Sequence, residues 1–165
     1  MQILCNLRDV PTLLGVCPSD LLPTMLPVSR STTLVVYTDP HIAEGTHWLA
    51  THLQTRSYSG YLFWFLQLAH LVPHILAFLR RTCNVWACNA TQLQVFTSTI
   101  CGKYCCLFAL YVDCGFTPNQ FVGLFDGAIA DRQVKRFASE FGLLREYPRG
   151  GHCCTCVYKM SLFYL

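Results

Sequence analysis

The stretch Tyr61-Leu62-Phe63-Trp64-Phe65-Leu66-Gln67-Leu68-Ala69-His70-Leu71-Val72-Pro73-His74-Ile75-Leu76-Ala77-Phe78-Leu79 carries no charged residue and is 19 residues long. That length is enough to test as a membrane span, which needs about 20 apolar residues. Wound as one helix, it would align Gln67, His70 and His74 at i, i+3 and i+7 on a single stripe. A lone span would show that stripe to lipid, at a cost of a few kcal/mol for each ionisable group near the bilayer centre. Pro73 would also remove a hydrogen bond from the helix interior. The reading adopted is a buried strand, then a helix, and membrane association is not expected.

Working upstream, Gly60 to Phe65 and His47 to Leu53 are strand candidates separated by the polar turn Gln54 to Ser59. Thr33-Leu34-Val35-Val36-Tyr37 is a β-branched run ended by Asp39-Pro40, a turn pair. Pro11, Pro18, Pro23 and Pro27 punctuate the first thirty residues, which read as loops with short helical turns. Downstream, Pro73 suits a first helical turn, with Ile75, Leu76 and Leu79 at helical spacing and Arg80-Arg81 at the C-terminal end. Cys101 to Val112 is an apolar helical run closed near Gly115. Thr117-Pro118-Asn119-Gln120 is a capping box. Asp131 to Phe141 puts Val134, Phe137, Ala138 and Phe141 on one face, with Gly142 as the stop. Strands followed by helices give an α+β domain over residues 1–149, with a loose Cys-rich tail over 150–165.

Composition narrows the function classes. Of 165 residues, 53% are hydrophobic and 13% charged, which excludes a disordered chain. The odd count of 11 cysteines, and an N-terminus that Arg8 and Asp9 make unlike a secretory leader, point to a reducing compartment with free thiols. An intracellular setting is expected, nucleus or cytoplasm or within a virion. A net charge of +3 is too small and too scattered for a nucleic-acid surface.

Among these thiols, chemistry needs one in an activating environment. Cys101 opens a helix, where the dipole and free backbone N–H groups lower a thiol pKa. Gly102 beside it lets a substrate backbone approach and leaves N–H groups free for an oxyanion. Gln94, seven residues upstream, offers a side-chain amide as a second oxyanion donor. The base must be a histidine brought in by the fold, from His41, His47, His52, His70, His74 and His152. His47 has the most telling context, at the mouth of a strand after Glu44-Gly45-Thr46 and before the bulky Trp48.

Gly45-Thr46-His47-Trp48-Leu49-Ala50, then Gln94 and, after six residues, Cys101-Gly102-Lys103-Tyr104-Cys105, resembles the adenovirus-type cysteine proteases. The likeness is nearest to the adenain-like enzymes of Maverick/Polinton DNA transposons and related viruses, distant cousins of the ubiquitin-like-protein proteases. Thr38-Asp39-Pro40 and Leu93-Gln94 are similar to that group too, and the resemblance covers roughly Leu14 to Phe141. It implies a papain-like fold of permuted order, a small mixed sheet flanked by helices, and thiol proteolysis of viral or transposon precursor polypeptides. Cys101 would attack the carbonyl, His47 would carry the proton, and Gln94 with the Cys101 backbone N–H would hold the oxyanion. No cofactor or metal is expected. The alternative is a non-catalytic module that binds a peptide or ubiquitin-like protein on the same fold.

One departure is large. The family has an Asp or Glu on the strand after the histidine, but from Gly45 through Val112 this chain has no acidic residue, and the matching position falls at or near Trp64. Three readings stand. An amide or a backbone carbonyl orients His47, with Gln67, Asn84 or Asn89 as candidates; or the site is a decayed one; or a short frame slip has replaced about ten residues. Elsewhere, Cys105 and Cys106 read as core packing, and Cys83, Cys88 and Cys114 lack metal-ligand spacing. His152-Cys153-Cys154-Thr155-Cys156 is half of a soft metal site at most, and reads as coincidental cysteines in a tail.

Overall fold

The β-branched run Thr32–Tyr37 forms strand β2, and all but its last residue are buried. Strand β3, Trp48–Gln54, is buried over its five central residues. Strands covered on both faces need partners above and below, and the computed structural model supplies them with helices. It describes residues 10–24, 30–43, 47–65, 72–94, 99–125 and 130–140. With β1 (Leu13–Pro18), β4 (Ser59–Phe63) and β5 (Val85–Cys88), they form one mixed sheet in the order β1-β2-β3-β4-β5. β2, β3 and β4 run antiparallel in sequence; each edge strand is parallel to its neighbour.

Helix α1 (Pro73–Thr82) starts with proline in its first turn and ends on Arg80 and Arg81. Its Leu79 and the following Cys83 meet the face that carries Leu53 and Gly60, a cross-strand pair. Gly60 is required there: a Cβ on it would lie 2.6 Å from the Cys83 sulfur. Helix α2 (Cys101–Asp113) covers the opposite face. Its Phe108 stacks on Phe63 at 4.7 Å between centroids, and Phe121 meets both rings edge-on. Phe121 comes from α3 (Pro118–Val122), whose Thr117–Gln120 capping box is formed in both directions. In α4 (Ala130–Glu140), Val134 and Ala138 are fully buried.

This is an α+β domain with a five-stranded mixed sheet and four α-helices among the described residues. The strand and helix expectations for Thr33–Tyr37, His47–Leu53, Gly60–Phe65, the helix from Pro73, Cys101–Val112 and Asp131 onward hold to within one or two residues. Tyr61 to Leu79 does contain a strand end and, later, a helix. No helix among the described residues is long and apolar enough to cross a membrane.

Two expectations are corrected. The first thirty residues are not only loops and helical turns, because β1 lies among them and a 3-10 turn, Ser19–Leu21, follows it. Proline is compatible with this strand because β1 is at the sheet edge and Pro18 is its last residue. Strands and helices are also not segregated, since α1 crosses over between the parallel strands β4 and β5. β5 has mostly exposed side chains, so no apolar alternation announces it. Gln67, His70, Phe141, Gly142 and the tail 150–165 lie outside the described residues.

Candidate functional site

Strand register gathers the candidate residues at one end of the sheet. Tyr37 pairs with both Pro18 and Trp48, and Ala50 pairs with Phe63. His47 before β3 and Trp64-Phe65 after β4 therefore leave the same end. The first turn of α2 arrives there as well, since Tyr104 stacks on Phe65 at 5.4 Å.

Cys101 occupies the first turn of α2 and is buried. Burial pushes its thiol pKa up, while the backbone amides of Trp48, Gly102 and Cys101 itself pull it down by less. The expectation of a lowered thiol pKa is thus corrected. The helix terminus does favour the thiolate, but loss of water outweighs it. The Trp48 amide also locates the sulfur one residue from His47. A Cβ on Gly102 would meet nothing within 4 Å, so the space over that backbone is open.

His47 is half-buried, and its carbonyl accepts hydrogen bonds from the Thr38 backbone N–H at 2.9 Å and the Thr38 hydroxyl at 3.4 Å. These fix the backbone where the chain enters β3. Among the described residues no hydrogen bond joins the His47 ring to the Cys101 thiol. Gln94 is buried, and its backbone is tied on both sides. Leu93 and Gln94 both donate their N–H to the Phe65 carbonyl, at 3.0 and 3.2 Å. The Gln92 side chain donates to the Gln94 carbonyl at 2.8 Å, and the Tyr104 hydroxyl meets the Leu93 carbonyl at 3.0 Å.

Trp64, the position at which the resemblance expects an acid, is an apolar residue. Trp64 is buried, and its indole N–H is without a hydrogen-bond partner among the described residues. An indole N–H only donates, so it cannot accept a hydrogen bond from imidazole Nδ1–H as a carboxylate does. Asn89 is engaged with the backbone: it accepts from the Trp64 N–H at 2.8 Å and donates to the Trp64 carbonyl at 2.9 Å and the Thr91 carbonyl at 2.8 Å. Its amide acts as an extra rung on the end of β4. Asn84 is exposed and donates its N–H to the Tyr58 carbonyl at the other end of that strand, about 15 Å away by strand rise. Gln67 lies outside the described residues.

Two features of this region were not visible in the sequence. One is the Asn89 clamp on Trp64, which joins residues 25 positions apart. The other is Tyr104, whose hydroxyl faces Leu93 and Asp131. Spacing alone offers a signal only for Tyr104, one helical turn from Cys101. An acid–imidazole pair does exist beyond the same sheet end, Asp20 Oδ2 with His41 Nδ1 at 2.7 Å, but it is exposed. The His41 hydrogen bond holds the Asp20 carboxyl below its usual range. The buried His52 belongs elsewhere: its Nδ1 is 3.0 Å from the Thr33 hydroxyl, and the nearby charge is Asp113 at the far end of α2. No cluster of metal-ligating side chains is present among the described residues. No protein-family model matches the chain, and no curated protein matches it at a significant level.

Proposed function

We propose that Cys101, His47 and Gln94 form the site of a cysteine endopeptidase, on a papain-like fold of permuted order, whose catalytic acid has been lost at Trp64. The observation that carries this reading is the convergence at one sheet end. A helix-opening thiol lies against the Trp48 amide, the residue after a histidine, and a buried glutamine is anchored to Phe65 beside them. In the reaction, His47 Nε2 takes the thiol proton and the Cys101 sulfur attacks a substrate peptide carbonyl. The Gln94 amide and the Cys101 backbone N–H stabilise the oxyanion, and His47 returns the proton to the leaving amine. The substrate class is polypeptide, by resemblance a viral or transposon precursor.

Without a carboxylate, the imidazole is neither fixed in the tautomer with Nδ1–H nor supported when it becomes charged. The raised thiol pKa of Cys101 agrees with a site in its resting, protonated form. This same observation favours the second reading, a groove that holds a peptide or ubiquitin-like partner without cutting it. Cleavage of fluorescein-labelled casein separates the two. The endopeptidase reading expects slow cleavage that Cys101→Ala abolishes, and cleavage equal to the parent in that variant would sink the assignment.

A further inference from the structure

The peptide group that leads into Gln94 is tied at both of its polar atoms. Its N–H, from Gln94, donates to the Phe65 carbonyl at 3.2 Å. Its C=O, from Leu93, faces the Tyr104 hydroxyl at 3.0 Å. Tyr104 is fully buried, three residues after Cys101 on the helix that carries the nucleophile. The same hydroxyl lies 2.9 Å from Asp131 Oδ1, in the first turn of α4. A phenol has one proton and both neighbours are acceptor oxygens, so the hydroxyl sits between them and shares its proton or donates to one at a time. The ring is also confined, stacked on Phe65 and edge-on to Phe125.

We infer that Tyr104 and Asp131 are positioning residues for Gln94: the hydroxyl held between Asp131 Oδ1 and the Leu93 carbonyl sets where the oxyanion-donating amide stands relative to Cys101. The inference rests on the endopeptidase reading above. It makes α2 carry two functions, the thiol at its first residue and the clamp on the second oxyanion donor one turn later. It also gives Asp131, the acid that reaches this end of the molecule from α4, a role that does not involve His47. Misplacement of a catalytic group by about 1 Å costs on the order of 10²-fold, so a clamp of this kind has measurable consequences.

The test uses leupeptin, a peptide aldehyde, as the probe. The Cys101 sulfur bonds to the aldehyde carbon, the carbonyl π pair moves to oxygen, and that oxygen takes up the thiol proton, giving a neutral hemithioacetal in the oxyanion site. Iodoacetamide alkylation of Cys101 is the control, since it develops no oxyanion. Tyr104→Phe and Asp131→Ala are expected to weaken leupeptin binding by at least about ten-fold with the alkylation rate held within about two-fold. Asp131→Asn, which keeps an acceptor oxygen, is expected to retain most of the affinity. Gln94→Ala is expected to lose as much, and adding Tyr104→Phe to it to cost nothing more, as for residues acting as one unit. Unchanged leupeptin affinity in Tyr104→Phe, or additive losses in the double variant, would overturn the inference. A parent that takes up no leupeptin at Cys101 overturns the endopeptidase reading. The clamp is then decided by NMR: Tyr104→Phe must move the Gln94 side-chain amide resonances, and resonances that stay in place refute it.

Discussion

Cys101 feels two opposed effects within a few ångströms. The N-terminus of α2 offers backbone amides that favour a thiolate, and burial removes the water that would solvate one. Burial wins, and among the described residues no carboxylate is hydrogen-bonded to the neighbouring His47 ring. The expected outcome is slow alkylation of Cys101 at pH 7, slower than that of the exposed Cys88, with a rate that climbs as pH is raised beyond the usual thiol range. Mass-spectrometric mapping of iodoacetamide adducts over pH checks this, and preferential labelling of Cys101 at neutral pH would contradict it. His52 is shifted in the opposite direction. Burial lowers its folded pKa below the ordinary 6.5, only partly offset by Asp113. Between those two values the unfolded chain binds more protons, so stability is complete above about 6.5 and falls as pH drops towards the folded pKa. Urea midpoints from pH 7.5 to 5 should decline in the parent, and His52→Gln should flatten that decline.

At the scale of elements, the site depends on how strand ends are finished. β4 stops at Phe63, and Asn89 then replaces a neighbouring strand for Trp64 by bonding both its N–H and its C=O. Asn89→Ala leaves those groups buried and unpaired, so a loss of about 1–3 kcal/mol is expected from chemical denaturation. A loss near zero would mean that the clamp is dispensable. Gly60→Ala is expected to destabilise by about 1–3 kcal/mol, because its new methyl meets the Cys83 sulfur and Leu53. Much at this scale was legible in the sequence. Val35, Leu49 and Ala50 sit in β-branched or alternating runs, Pro73 and Thr117 announce helix starts, and each did so by local chemistry. β1 and β5 were not legible, because both are edge strands whose pairing is set by distant residues and whose side chains carry little apolar pattern. The Asn89 and Tyr104 clamps were hidden for the same reason: a hydrogen bond across 25 or 27 positions leaves no local spacing to read.

For the whole molecule, an unusually apolar chain is explained by a sheet covered on both faces. α1 covers one side and α2 the other, with Phe63, Phe108 and Phe121 packed against one another behind the site. That core holds the strand ends and the first turn of α2 in fixed relation, which any thiol chemistry there requires. Phe108→Ala is expected to cost about 3–5 kcal/mol in a denaturation curve, the usual range for a fully buried phenylalanine. The low charge bears on the proposal too, for the acid-free span from Gly45 to Val112 includes the strand on which the resemblance expects a carboxylate partner for His47. Cys101, His47 and Gln94 are grouped by the sequence only through the resemblance, and the sheet register gathers their neighbours at one end. The central claim is that these three form an endopeptidase site lacking only its acid. Its most direct test is casein cleavage by Trp64→Asp, compared with the parent and with Trp64→Asn as the uncharged control. Since loss of the carboxylate partner lowers related chemistry by about 10⁴, the account expects Trp64→Asp to raise cleavage at least about ten-fold over both, with the gain erased by Cys101→Ala. A natively folded Trp64→Asp protein that cleaves no faster than Trp64→Asn, or whose cleavage survives Cys101→Ala, would contradict it.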